Sequence, residues 1–250
     1  HRNSFNIMRR VCSLKAKQLV SLSIIFIAIP LLLIVGATLL KDNKYNIISM
    51  IVVLLACVPF FLQFERRKPH AREIMIIAVM SAISVAGRVA FAWVPAFKPV
   101  TAITAITGFK MGPEAGFLTG AVSAIASNML FGQGPWTPFQ MFTWGIIGYI
   151  AGWLGKTSLM ETKIGLILYG IIAGVLFSFI MDIWTVMSYD GAFSWTRYLQ
   201  AAGTALPFTI AYAVSNVVFL LLLTKPIGEK LERIQIKYGL IGNKVKESAR

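Results

Sequence analysis

Apolar runs, each close to the length of one bilayer crossing, constrain this chain more than any other feature. A helix needs ~20 apolar residues to cross the ~30 Å hydrocarbon layer, because each backbone polar group must be satisfied within the segment. Such runs occupy residues 19–40, 46–64, 74–95, 115–131, 138–155, 164–187 and 198–223, with a conspicuously short one at 100–111. A mean hydropathy of +0.72 and a charged fraction of 14% exclude a soluble globule of 250 residues. The expectation is an all-α polytopic membrane protein.

A net charge of +14 would indicate a nucleic-acid partner in a soluble protein. Here Lys and Arg gather in short gaps between the apolar runs, so they report topology, with no nucleic acid involved. If all eight runs cross with the N-terminus inside, the inner face carries 19 Lys and Arg, and the outer face four, Lys41, Lys44, Lys98 and Arg197. If 100–111 does not cross, the split becomes 10 inside against 13 outside. The positive-inside bias selects eight crossings in a cell membrane, both termini cytoplasmic.

Residues 1–18 read as a cytoplasmic N-terminus, with 1–7 a remnant of expression ahead of Met8. Residues 19–73 form an accessory transmembrane hairpin and a basic connector, and 74–224 a six-helix core. In the cytoplasmic tail, 225–250, Ile227, Leu231, Ile234 and Tyr238 recur at helical spacing, as in an amphipathic interfacial helix; a solvated tail is the other reading.

Catalytic chemistry lacks its residues. Cys12 and Cys57 do not make a disulfide framework, and His1 and His70 do not make a metal site. The stretch from Ile150 to Thr157 ends like a phosphate-binding loop, but Ile150 takes the first Gly position and an apolar helix precedes it where a strand is required. No paired catalytic carboxylates or Ser-His-Asp set occurs. The expectation is a protein that is not an enzyme and has no cofactor or metal of its own.

The run 74–95 carries Ala78, Ala82, Ala86 and Ala90 at four-residue spacing, a small-residue stripe that lets another helix approach closely. That helix belongs either to this chain or to a partner. Ser81, Ser84 and Arg88 fall on the opposite face. An intramembrane charge costs about 3 kcal/mol even on the lenient insertion scale, so Arg88, two turns inside its span, needs a partner; Asp182 is the acid at comparable depth, and a structural Arg88–Asp182 ion pair is expected. Gly108, Gly112, Gly116 and Gly120, then Gly145, Gly148, Gly152 and Gly155, point to close helix packing.

The outer connections are aromatic and amide-rich. Five of the six Trp lie there or on the helix ends beside them, Trp93, Trp136, Trp144, Trp184 and Trp195, whereas an interfacial belt would populate both faces. The candidates for ligand contact are these five with Lys98, Asn128, Gln133, Thr137, Gln140, Tyr189 and Arg197.

The sequences Gly87-Arg88-Val89-Ala90-Phe91, Lys98-Pro99-Val100-Thr101-Ala102, Thr107-Gly108, Gly112-Pro113, Ser127-Asn128 and Phe131-Gly132-Gln133-Gly134-Pro135-Trp136-Thr137-Pro138-Phe139-Gln140 resemble the substrate-specific S components of energy-coupling factor (ECF) vitamin transporters, most closely the cobalamin-specific branch. The resemblance runs from Ile74 to Leu223. It implies a six-helix core that captures a vitamin at the outer face. It also implies a membrane coupling (T) subunit and two cytosolic ATPases, with ATP consumed by those partners and cargo released inside as the S component topples. Ala78, Ala82, Ala86 and Ala90 match the family's docking surface for the coupling subunit; the leading hairpin departs from the six-helix pattern. Riboflavin, pyridoxine or folate would draw on similar residue types as cobalamin. A stand-alone secondary transporter is the alternative from another class, with Arg88 and Asp182 as its coupling groups.

Overall fold

The computed structural model describes residues 45–66, 69, 71–190 and 193–239. Its elements are α1 (Tyr45–Arg66), α2 (Ala71–Ala90), α3 (Val100–Met111), α4 (Pro113–Phe131), α5 (Thr137–Leu154), a 3₁₀ turn (Ser158–Glu161), α6 (Lys163–Asp190) and α7 (Trp195–Tyr238), with no strand among the described residues. Three helices, α2, α6 and α7, are long and apolar enough to cross a membrane, and α3 is a shorter apolar helix. The fold is all-α and polytopic, as expected. The run 19–40, and with it the first helix of the expected hairpin, lies outside the described residues.

Glycines bring three helices into backbone contact. A Cβ on Gly108 of α3 or Gly116 of α4 would collide with the Gly148 carbonyl of α5, and one on Gly152 would collide with Pro113. The four-residue spacing read from the sequence thus becomes a seam between α3, α4 and α5. Every residue of α3 from Val100 to Gly108 is buried. This is why 12 residues suffice: a helix sheathed by protein on all sides need not match the thickness of the lipid. It ends at Gly112, whose φ of 105° is left-handed territory that favours glycine, and Pro113 opens α4 at a first-turn position that proline tolerates.

The second helix of the expected hairpin is α1, and it is docked on the core. Phe60 stacks on Phe117 with centroids 4.2 Å apart and meets Tyr149 edge-on at 4.9 Å. Cys57 beside them is only 2% exposed.

The two faces of α2 separate as the sequence implied. Ser81 and Ser84 are buried, while Ala78, Ala82, Ala86 and Ala90 are all exposed, so the stripe is not consumed by packing among the described helices. The helix stops at Ala90, earlier than the expected limit of 95. Residues 91–96 form a turn held by the Ala92 N–H on the Val89 carbonyl and the Val94 N–H on the Phe91 carbonyl, ahead of Pro95, which disfavours helix in the residue before it.

The described part of the tail is not a separate element. α7 runs unbroken from Trp195 to Tyr238, 44 residues, through Pro207 and Pro226. Its apolar face, Ile227, Leu231, Ile234 and Tyr238, and Met75, Val79 and Ile83 of α2 line a groove of about 730 Å³. The helical spacing was legible; along it Leu231 is buried, Ile227 and Ile234 are half-buried and Tyr238 is exposed. Lys110 pairs with Glu232, and Gln235 Nε2 donates to the Lys110 carbonyl at 2.8 Å, which ties the tail to the end of α3.

Candidate functional site

The site lies where the last turn of α2 meets the end of α4 through Arg88, Ser127 and Asn128. The α2–α3 turn is anchored to α7: the Lys98 N–H donates to Ser215 Oγ at 2.9 Å, and Ser215 Oγ donates to the Lys98 carbonyl at 3.1 Å. This sets the turn beside the middle of α7. A notch of about 70 Å³ results, lined by Arg88, Ala96, Lys98, Val100 and Thr101 of α2, the turn and α3, Gln140 and Trp144 of α5, Phe177 of α6, and Tyr212 and Asn216 of α7. Ala96 holds φ 58°, a costly backbone state for a residue with a Cβ, and it does so at the floor of this notch.

Arg88 organises the polar side. Its Nη1 donates to Ser127 Oγ and to Asn128 Oδ1 at 2.8 Å. Its guanidinium lies 4.9 Å from the Phe131 ring and 5.3 Å from the Trp144 ring, a cation–π arrangement. Asn128 Nδ2 donates to Thr137 Oγ1 at 2.9 Å and Gln140 Oε1 at 2.8 Å. Thr137 Oγ1 in turn donates to Gln133 Oε1 at 2.9 Å, and Gln133 Nε2 to the Ile125 carbonyl at 2.9 Å. On the apolar side Trp144 and Phe177 are nearly parallel, 19° and 5.4 Å apart, and Tyr212 meets Phe177 at 4.9 Å. Burial, and then the charge of Arg88, hold the Lys98 ammonium below the usual lysine range.

The expected Arg88–Asp182 ion pair is not formed. Because α2 ends at Ala90, Arg88 sits in its last turn and reaches α4 through Ser127 and Asn128. Asp182, 6% exposed, keeps an Oδ2 without a hydrogen-bond partner.

Of the twelve ligand-contact candidates, Lys98, Gln140 and Trp144 line the notch, Asn128 is bonded to Thr137 and to Gln140, and the bonds run on from Thr137 to exposed Gln133. The other six stand outside. Trp93 is 80% exposed, with Nε1 donating to the Ala90 carbonyl at 3.1 Å. Trp136 packs its ring over Gly134, and Trp184 packs against Phe139 at 5.6 Å. Tyr189 is exposed, as are Arg197 and Trp195, the last clustered with Phe193 and Tyr198. At ~1.5 Å per helical residue, Trp195 lies about 25 Å along α7 from Tyr212, too far to share the notch. Tyr212, Asn216 and Phe177 went unnoticed in the sequence, and Thr101 entered only within the run from Lys98 to Ala102. The signal for Asn216 and Tyr212 was present: polar groups four residues apart inside an apolar span.

The family model for the ECF-type riboflavin transporter, S component, matches residues 68–232. That is more than half of the chain, and the protein belongs to this family. It is therefore the substrate-specific subunit of an ECF vitamin transporter, a transport protein of the membrane that works with a coupling T subunit and ATPases. No curated protein and no solved structure matches the chain.

Proposed function

We propose that the chain captures cobalamin at the outer face of the membrane, seating one edge of it in the notch. The observation that carries this reading is the contrast between notch and wall. About 70 Å³ is far below the ~300–1,000 Å³ of pockets that enclose a small ligand, while α7 continues about 25 Å past Tyr212 to Trp195. A ligand that places a small part of itself in the notch and lays the rest against α6 and α7 has to be large. Cobalamin, rimmed with amides and carrying a phosphate, is of that kind. Riboflavin is the second reading, favoured by the name of the matching family and by the near-parallel Trp144 and Phe177 rings, a stack that a flat ring would extend.

Delivery in this proposal uses the other face of α2. The coupling subunit docks on Ala78, Ala82, Ala86 and Ala90, small side chains that admit a helix at close range; toppling releases the vitamin inside, and two cytosolic ATPases supply the energy, so ATP is a partner's cofactor. The charge distribution supports an outward notch and cytoplasmic termini.

The test is titration of the full chain in detergent with cyanocobalamin and riboflavin, following Trp fluorescence. A nanomolar response to cyanocobalamin alone is expected. A response to riboflavin alone selects the second reading, and silence to both removes capture of either.

A further inference from the structure

We infer that the edge of the ligand entering the notch consists of hydrogen-bond acceptors bearing full or partial negative charge, and that Arg88 sets this preference both directly and through the orientation of two amides. The inference rests on the capture reading and adds the chemistry of what is captured.

An arginine only donates hydrogen bonds, so the Asn128 atom facing Arg88 Nη1 has to be its oxygen, as observed at 2.8 Å. The Asn128 nitrogen is thereby turned toward Thr137 Oγ1 and Gln140. A donor from Asn128 requires the Gln140 oxygen to face it, which leaves Gln140 Nε2 as the free end. One cation thus fixes amides whose orientations would otherwise be interchangeable.

The groups that can only donate to a ligand are Gln140 Nε2, the Nε and Nη2 edge of Arg88, and the Lys98 ammonium, all on residues that line the notch, where the Tyr212 and Thr101 hydroxyls can donate or accept. No Asp or Glu is among the lining residues, and Asp182 is not paired with Arg88, whose Nη1 is bonded to Ser127 and Asn128. Asn216, whose Nδ2 donates to the Gly170 carbonyl at 3.3 Å, is the other amide among the lining residues. Two cations beside each other without a carboxylate form a site that repels a cationic ligand and offers charge-assisted hydrogen bonds to a phosphate, a carboxylate or a row of carbonyl oxygens.

Asn128 is on this view a positioning residue, and Arg88, Lys98 and Gln140 are the contacts. The test measures affinities of the full chain in detergent for cyanocobalamin, riboflavin and, as a cationic control, thiamine, and repeats them with Lys98→Glu, Arg88→Gln and Arg88→Lys. Lys98→Glu is the most secure variant, because the turn is fastened by the Lys98 backbone; its thermal midpoint serves as the folding control. The expected result is no response to thiamine, and for the vitamin that binds a loss of about tenfold or more in Lys98→Glu and Arg88→Gln, partly recovered in Arg88→Lys. Unchanged affinity in a folded Lys98→Glu, or thiamine binding tighter than the other two, overturns the acceptor-edge inference and leaves capture standing. Silence of the wild type to all three overturns capture and, with it, this inference.

Discussion

The two faces of α2 differ in what they spend side chains on. The inward face carries Ser81, Ser84 and Arg88, sunk among α4 and its neighbours, with Arg88 bonded to Ser127 and Asn128. The outward face carries Ala78, Ala82, Ala86 and Ala90, all exposed. One face is specific and polar, the other smooth and open to a close neighbour. In the proposed function a single helix meets the ligand site at one side and a partner at the other, which suits a subunit that captures its cargo separately from the subunits that supply energy.

Substitutions around the helix should separate these two roles, beginning with the largest effect. Gly87 lies where a Cβ would collide with Pro99 of the turn, so Gly87→Leu has to displace the segment that carries Lys98. Vitamin affinity should fall about a hundredfold, with a loss of roughly 1–3 kcal/mol in stability from overpacking, read by titration and thermal unfolding; wild-type affinity would mean the turn is not held against α2. Asn128→Leu removes the link between Arg88 and Gln140 and should weaken binding about tenfold through mispositioned donors, together with a stability loss of about 2 kcal/mol for an abandoned charged partner. If binding is untouched while stability falls, Asn128 is structural only. The smallest effect belongs to Ser84→Ala. Ser84 is fully buried and its Oγ has no partner, so removing the hydroxyl should leave thermal stability within about 1 kcal/mol of wild type or raise it; a large loss would reveal a hidden bond on the inward face.

Much of the fold is written in patterns that survive translation into space. The Ala repeat, the Gly repeat and the tail positions Ile227, Leu231, Ile234 and Tyr238 each follow helical spacing, and each becomes a face or a seam. The short 100–111 segment was legible as a helix, but not as one buried on every side, because sheathing depends on neighbours distant in sequence. The lining of the notch was read less completely. Trp and Tyr abundance in the outer connections drew attention to Trp93, Tyr189 and Trp195, which stand in the open, since aromatic content alone does not fix depth. The notch instead draws Tyr212 and Asn216 from the interior of α7, placed there by the anchoring of Lys98 to Ser215. Arg88 and Asp182 looked like a pair because both are rare charges at similar depth; the early end of α2 gave Arg88 other partners.

The separation of capture from coupling is tested most directly by bulk on the outward face, with binding and uptake measured on the same variants. Ala82→Trp and Ala86→Trp fill the stripe without touching the notch. Vitamin affinity in detergent should stay within about twofold of wild type, while uptake in cells carrying the coupling subunit and ATPases is lost. Uptake that persists at the wild-type rate in both variants would contradict the division of α2 into a capturing face and a docking face.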